Sequence, residues 1–259
     1  MQHFAKPENA LNRARELCAL GSRPQKEAAM VALHDVLSSK RHRTWQPAME
    51  EVMIAFLDLS VELRRGKAAK DGLIAYRIIC QQINVASMEA VLRHFMDGAE
   101  KANTAAMAAA EVLPDSPAAD RLDFEDLEAA ETPESLMLAT LGGAADSRKR
   151  IERQQVTPSL KFLWEAFRTV LDILRNNQKL EDLYKDTALR AFDFCTKYKR
   201  TIEFRRLCEI LRYHIQARRA PPPPLALASS LSSSSSLSLF LLPPLLPAAH
   251  PRPPPPGRA

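Results

Sequence analysis

The sequence has few of the residues that form strands, tight loops and catalytic sites. It contains only seven glycines in 259 residues, and its aromatic fraction is 6%. It shows neither a glycine-rich phosphate loop nor a nucleophile elbow. The six histidines are scattered, with no pair at metal-ligand spacing on one predicted helix. We therefore expect no catalytic residues, no metal site and no cofactor.

The cysteines and the apolar runs exclude further classes of protein. Cys18, Cys80, Cys195 and Cys208 lie far apart and form no C-x-x-C pair. The opening residues are polar and charged, unlike a signal peptide, and the longest apolar run, LSLFLLPPLLPAA, is too short and too rich in proline to span a bilayer. These features predict an intracellular protein with reduced thiols. We interpret Cys195 and Cys208 as small hydrophobic residues buried between two helices.

Charge and proline divide the chain at Gln216. The formal net charge is +5, but four arginines and no acidic residue lie beyond Gln216. The body is therefore almost neutral, and bulk charge gives no argument for nucleic-acid binding. Twelve of the 19 prolines also lie beyond that point, among serine-rich and leucine-rich runs. This composition predicts a disordered tail over 217–259.

Before Gln216, apolar residues recur at the 3.6-residue spacing of amphipathic helices. Gly21 and Gly66 are expected to end helices, and Thr44 and Ser87 to cap helices at the N-terminus. Inward stripes continue to Ile83 in one helix and to Ala99 in the next. Helix pairs repeat about every 40 residues, which is typical of a helical solenoid. The predicted fold is all-α, with antiparallel helical hairpins stacked as in tetratricopeptide repeats.

The predicted organisation has four parts. Nine acidic residues lie between Glu111 and Glu134 against a single arginine, so this stretch is interpreted as an exposed acidic linker. Thr157 and Pro158 then begin the first of three further helices. The parts are a helical-repeat arm (1–112), an acidic linker with one short helix (113–156), a three-helix continuation (157–216) and the tail (217–259).

Basic residues cluster at predicted turns, where they could contact phosphate. Aromatic neighbours could stack on bases, whereas the alternative is a solvated helix end whose cations favour the helix dipole. A further cluster at 64–67 is expected to lie on the opposite edge of the solenoid from the cluster at 40–43. The candidate contacts to RNA or the ribosome are Lys40, Arg41, Arg43, Lys197, Lys199, Arg200, Arg205 and Arg206.

Three segments carry a resemblance to a known family. DGLIAYRIICQQINVASMEAVLRHFM begins at Asp71, TPSLKFLWEAFRTVLDILRNNQKLEDLY at Thr157 and RAFDFCTKYKRTIEFRRLCEILRYHI at Arg190. They resemble the N-terminal region of the largest, or a, subunit of eukaryotic translation initiation factor 3. The resemblance covers residues 1–216 and weakens through the acidic linker.

The resemblance implies a cytoplasmic, non-enzymatic scaffold. It implies contact with RNA and the small ribosomal subunit during pre-initiation complex assembly and mRNA recruitment. Other subunits of the factor would join through a PCI domain (helical repeats followed by a winged helix), and this sequence is expected to stop before that domain. A helical-repeat scaffold of another PCI complex, such as the proteasome lid or the signalosome, is the alternative, and an RNA-binding enzyme is a third interpretation.

Overall fold

The computed structural model describes residues 6–39, 44–80, 83–111, 127–128 and 156–219. All regular structure within these ranges is helical. The elements are α1 (Pro7–Ala19), α2 (Arg23–Ser38), α3 (Pro47–Glu62), α4 (Gly66–Cys80), α5 (Val85–Glu111), α6 (Thr157–Leu174), a 3₁₀ turn (Gln178–Leu180), α7 (Glu181–Lys197) and α8 (Thr201–Arg219).

The helices stack as a repeat. Each helix from α1 to α6 packs against its successor, including α5 and α6, which are in contact although a gap in the described chain separates them. Next-but-one neighbours touch as well: α1 with α3, α2 with α4, α3 with α5, and α4 with α6. From α1 to α6, each helix thus meets its neighbour and its next neighbour, and such stacking is how helical repeats bury a continuous core. The predicted all-α repeat fold is confirmed for the described residues.

The core follows the apolar stripes. Phe56, Tyr76, Phe95, Trp164 and Phe167 are among the largest side chains that are completely buried. Helices of this length are marginal alone in water, and each buried Leu, Phe or Met contributes about 1.5–3 kcal/mol. The stability of the array therefore comes from stacking.

The connection between α3 and α4 differs from its prediction. Thr44 does not cap α3, which begins at Pro47 after an extended Gln46. Gly66 does not end α3 but begins α4. The residue in left-handed conformation is Arg64, with φ 53°, and the amide of Arg65 donates to the carbonyl of Ser60. This bond closes α3 in a Schellman motif that carries arginine where glycine is usual.

The cap of α5 also differs from its prediction. Asn84, and not Ser87, caps this helix, because the Asn84 side chain accepts from the Ser87 amide at 3.1 Å. The Ser87 hydroxyl instead lies 2.6 Å from the hydroxyl of Tyr76 inside the core. Ile83, predicted to point inward, is 60% exposed because α4 ends at Cys80.

The compact unit spans Met1–Ala217, and the remaining residues, Arg218–Ala259, form a second unit. The tail predicted as disordered lies outside the described residues after Arg219, and the predicted division of the body into three parts stays a prediction. At the end of the repeat, α8 packs on α7 through a tilted pair of rings, Phe192 and Phe204, with centroids 5.2 Å apart. Among the described helices, none is both long enough and apolar enough to cross a membrane.

Candidate functional site

The turn between α7 and α8 presents its basic residues on a fixed backbone. Lys199 adopts the left-handed conformation, with φ 50°. The Arg200 amide donates to the Cys195 carbonyl at 2.8 Å, and the Lys199 amide donates to the Thr196 carbonyl. These two bonds define a Schellman motif, in which backbone amides satisfy carbonyls of the last turn of α7.

Two of the predicted contacts are exposed around a half-buried tyrosine. Lys197 and Lys199 are exposed on either side of Tyr198. The Lys197 ammonium lies 5.4 Å from the centre of the Tyr198 ring, within cation–π range. The Tyr198 hydroxyl accepts a hydrogen bond from Asn103 Nδ2 at 2.9 Å, which anchors the ring on α5. The turn thus holds two cations beside an aromatic ring whose orientation is fixed.

Arg200 is not available to a partner, which corrects its place among the candidate contacts. Its side chain is 3% exposed and that of Glu203 is 1% exposed. Arg200 Nε and Nη2 donate to the two carboxylate oxygens of Glu203 at 3.2 and 3.1 Å. Arg200 immediately precedes α8 and Glu203 lies in its first turn, so a spacing of three residues brings the two side chains together.

The remaining candidates divide between the surface and the part of the chain outside the description. Arg205 is exposed on α8. Arg206 is 33% exposed and pairs with Glu128 at 3.4 Å. Lys40, Arg41 and Arg43 lie outside the described residues.

Two residues of the predicted acidic linker are built into the structure. Leu127 is 3% exposed, and its amide donates to Glu203 Oε1 at 2.9 Å. Glu128 Oε1 accepts from the indole of Trp164 at 2.7 Å and from Arg168 at 2.6 Å. The prediction of an exposed linker is therefore wrong for Leu127, whereas Glu128 is exposed as predicted. The dipeptide packs against the middle of α6 and the start of α8. The rest of the linker lies outside the described residues.

The cysteines offer no reactive pair. Cys195 is buried, and burial raises the pKa of its thiol to about 12; the same cause raises the pKa of Cys80 to about 12. A thiol that stays protonated at neutral pH is a poor nucleophile. Cys208 is exposed as a free thiol, which corrects its predicted burial. In the described ranges, no group of three or more His, Cys, Asp or Glu side chains could hold a metal ion.

The left-handed lysine gives a prediction about the turn itself. Replacing Lys199 with glycine is expected to raise the free energy of unfolding by about 0.5–1 kcal/mol. A non-glycine residue in the left-handed conformation costs about 1–2 kcal/mol, and glycine removes that cost. Part of the stabilisation is lost because glycine gives the unfolded chain more conformational freedom. Urea denaturation measures the change. Lys197→Gly removes the same charge at the last residue of α7, where φ is not positive, and should destabilise the protein by up to about 0.5 kcal/mol. A loss of stability in K199G would contradict the turn geometry.

Comparison with known proteins gives a consistent result. A family model described as "eIF3a, PCI domain, TPR-like region" matches residues 8–241. The A subunit of eukaryotic translation initiation factor 3 from Arabidopsis thaliana is 53% identical to the chain over 219 residues, which is 83% of the chain. The same protein of Nicotiana tabacum is 53% identical over 215 residues and 83% of the chain. That of Aspergillus oryzae is 54% identical over 215 residues and 82% of the chain.

The chain spans about a fifth of the length of these relatives, since the aligned regions cover 21%, 22% and 20% of them. The description of the family model assigns the matched region to the tetratricopeptide-like part of a PCI domain. This assignment agrees with the stacking of next-but-one helices described above.

Proposed function

The chain belongs to the eIF3a family of eukaryotic translation initiation factor 3 proteins, and we propose on that premise that it is a scaffold arm of the factor. Its partners would be RNA, the small ribosomal subunit and the other subunits of the factor. It would meet the ribosomal subunit in pre-initiation complexes that recruit mRNA. The proposal is of a binding surface and not of an enzyme. A stack of helical repeats alone would suit a component of another PCI complex equally well, and the family match favours initiation factor 3.

The RNA part of this proposal rests on the exposed basic residues at the turn between α7 and α8. Lys197 and Lys199 are exposed beside the ring of Tyr198, and Arg205 is exposed within the next helix. Lysines that meet phosphate release counterions, and an aromatic ring can stack on an unpaired base. Because Asn103 anchors the tyrosine, the surface is set before a partner arrives, which lowers the entropic cost of binding.

The test is binding to isolated small ribosomal subunits and to an unstructured RNA oligonucleotide. The double variant K197E/K199E is expected to weaken binding by about tenfold or more. The slope of log affinity against log salt should fall by about 2, since each phosphate contact contributes close to one unit. Cosedimentation measures the first partner, and fluorescence anisotropy across a salt series measures the second.

A control of equal charge separates a local contact from bulk electrostatics. Arg13 and Arg15 lie exposed on α1, with side chains 51% and 66% exposed. R13E/R15E makes the same change in net charge and should alter binding by less than about threefold. Equal losses in the two double variants would show that the turn is only a solvated helix end.

A further inference from the structure

A second basic surface lies away from the α7–α8 turn. The N-terminal turn of α4, the outer side of α6 and one residue of α8 enclose a groove of about 480 Å³. Four of the side chains that line it are cationic and two are carboxylates, which leaves a net charge of +2: Lys67, Lys70, Arg168, Arg175, Glu165 and Asp172. The body as a whole is nearly neutral, so this surface is a local concentration of positive charge.

The two carboxylates do not cancel the lysines. Glu165 lies against the first turn of α4, because a β-carbon built on Gly66 would fall 2.1 Å from Glu165 Oε2. A carboxylate near the N-terminus of a helix is favoured by the helix dipole, so the charge of Glu165 is partly offset by α4 itself. Asp172 is 3.8 Å from Arg175, with both side chains about half exposed. Lys67 and Lys70 are exposed along the groove.

One arginine of the groove already binds an anionic group. Arg168 lines the groove and holds the carboxylate of Glu128 at 2.6 Å. The indole of Trp164 donates to the same carboxylate at 2.7 Å, and Arg206 approaches it at 3.4 Å. Donors from α6 and α8 thus converge on one anion. The indole donor is held in place because Trp164 is completely buried. A phosphate offers the same acceptor chemistry to arginine as a carboxylate does.

We propose that this groove binds the phosphate backbone of a single RNA strand, with Lys67, Lys70 and Arg175 contacting successive phosphates. Glu128 competes with a phosphate for Arg168. The proposal rests on the proposed function, since it takes RNA as the partner, and it adds a site that the α7–α8 turn does not include. None of the residues that line the groove is aromatic. The groove therefore offers no ring on which a base could stack, and it should bind RNA without base specificity.

The test uses the double variant K67E/K70E and RNA oligonucleotides of about ten nucleotides. We expect about tenfold weaker binding at about 50 mM salt, with a salt slope lower by about 2 and the same loss for oligo-U and oligo-A. Lys67 and Lys70 are both exposed on α4, so neither substitution disturbs a buried contact. The variant should therefore keep its helical circular dichroism and its melting temperature. R13E/R15E is again the control of equal charge.

Glu128→Gln tests the competition. It keeps the shape of the side chain and removes its charge, so phosphate competes better for Arg168, and RNA should bind about threefold or more tightly. Unchanged or weaker binding by E128Q would overturn the role of Glu128. Normal RNA binding by K67E/K70E would overturn the groove.

Combining K67E/K70E with K197E/K199E separates this proposal from the function proposed above. Two independent surfaces predict that the losses multiply to about a hundredfold. A loss confined to K197E/K199E overturns the groove and leaves the turn as the RNA contact. A loss confined to K67E/K70E does the reverse, and wild-type protein that fails to bind RNA at about 50 mM salt overturns both.

Discussion

Replacing Glu203 with leucine is expected to lower the free energy of unfolding by about 3–5 kcal/mol. Glu203 and Arg200 are almost completely buried and share two hydrogen bonds. Removing the carboxylate takes from the buried guanidinium the two hydrogen bonds and the negative charge that help to offset its desolvation. The Leu127 amide loses its acceptor in the same substitution, which adds the cost of an unsatisfied buried donor. Urea denaturation followed by circular dichroism measures the change.

The double variant R200M/E203L is the informative control. When both charges of a buried pair are replaced by apolar side chains of similar size, the cost is often small, so the double variant should recover most of the stability. Glu89→Gln removes one partner from an exposed pair with Arg93 at 3.0 Å and should cost less than about 1 kcal/mol. A loss of that small size in E203L would mean that water reaches the Arg200–Glu203 pair.

The fold could be predicted because helix periodicity is a local signal. The apolar stripe from Met88 to Ala99 and that from Leu160 to Leu174 are both buried as their spacing indicates. Helix ends were harder to place. Glycine is the usual left-handed residue, yet Arg64 closes α3 while Gly66 opens α4. Nothing in a single sequence reveals that an arginine adopts this conformation, because its cost is offset by packing elsewhere.

The candidate site could be predicted only where its residues are close together in the sequence, within a single turn. Lys197 and Lys199 followed from a basic, aromatic turn between two helices. The burial of Arg200 was missed, although Glu203 stands at the i+3 spacing that permits pairing. The groove brings Lys67 and Arg168 together across about a hundred positions of sequence. Such a long-range contact depends on how the helices stack, and no periodicity within one helix encodes it.

Replacing Gly72 with alanine is expected to destabilise the protein by about 1–3 kcal/mol, although alanine normally favours a helix over glycine by about 1 kcal/mol. Gly72 lies inside α4, and a β-carbon there would fall 2.3 Å from Cε1 of Phe56. The ring of Phe56, on α3, is completely buried and has no room to move aside. The steric clash can therefore be relieved only by shifting the backbones of α3 and α4. Thermal unfolding should show a melting temperature lower by several degrees.

Gly98 provides the matched control, because it too lies inside a helix. A β-carbon on Gly98 would meet only Cγ2 of Val61, at 3.9 Å, an ordinary van der Waals contact. Gly98→Ala should therefore stabilise the protein by about 0.5–1 kcal/mol through helix propensity alone. The same substitution thus has opposite signs at two helical sites, and the difference measures how closely α4 approaches α3. Equal stabilisation by both alanines would show that α3 and α4 lie farther apart than the contact between Gly72 and Phe56 indicates.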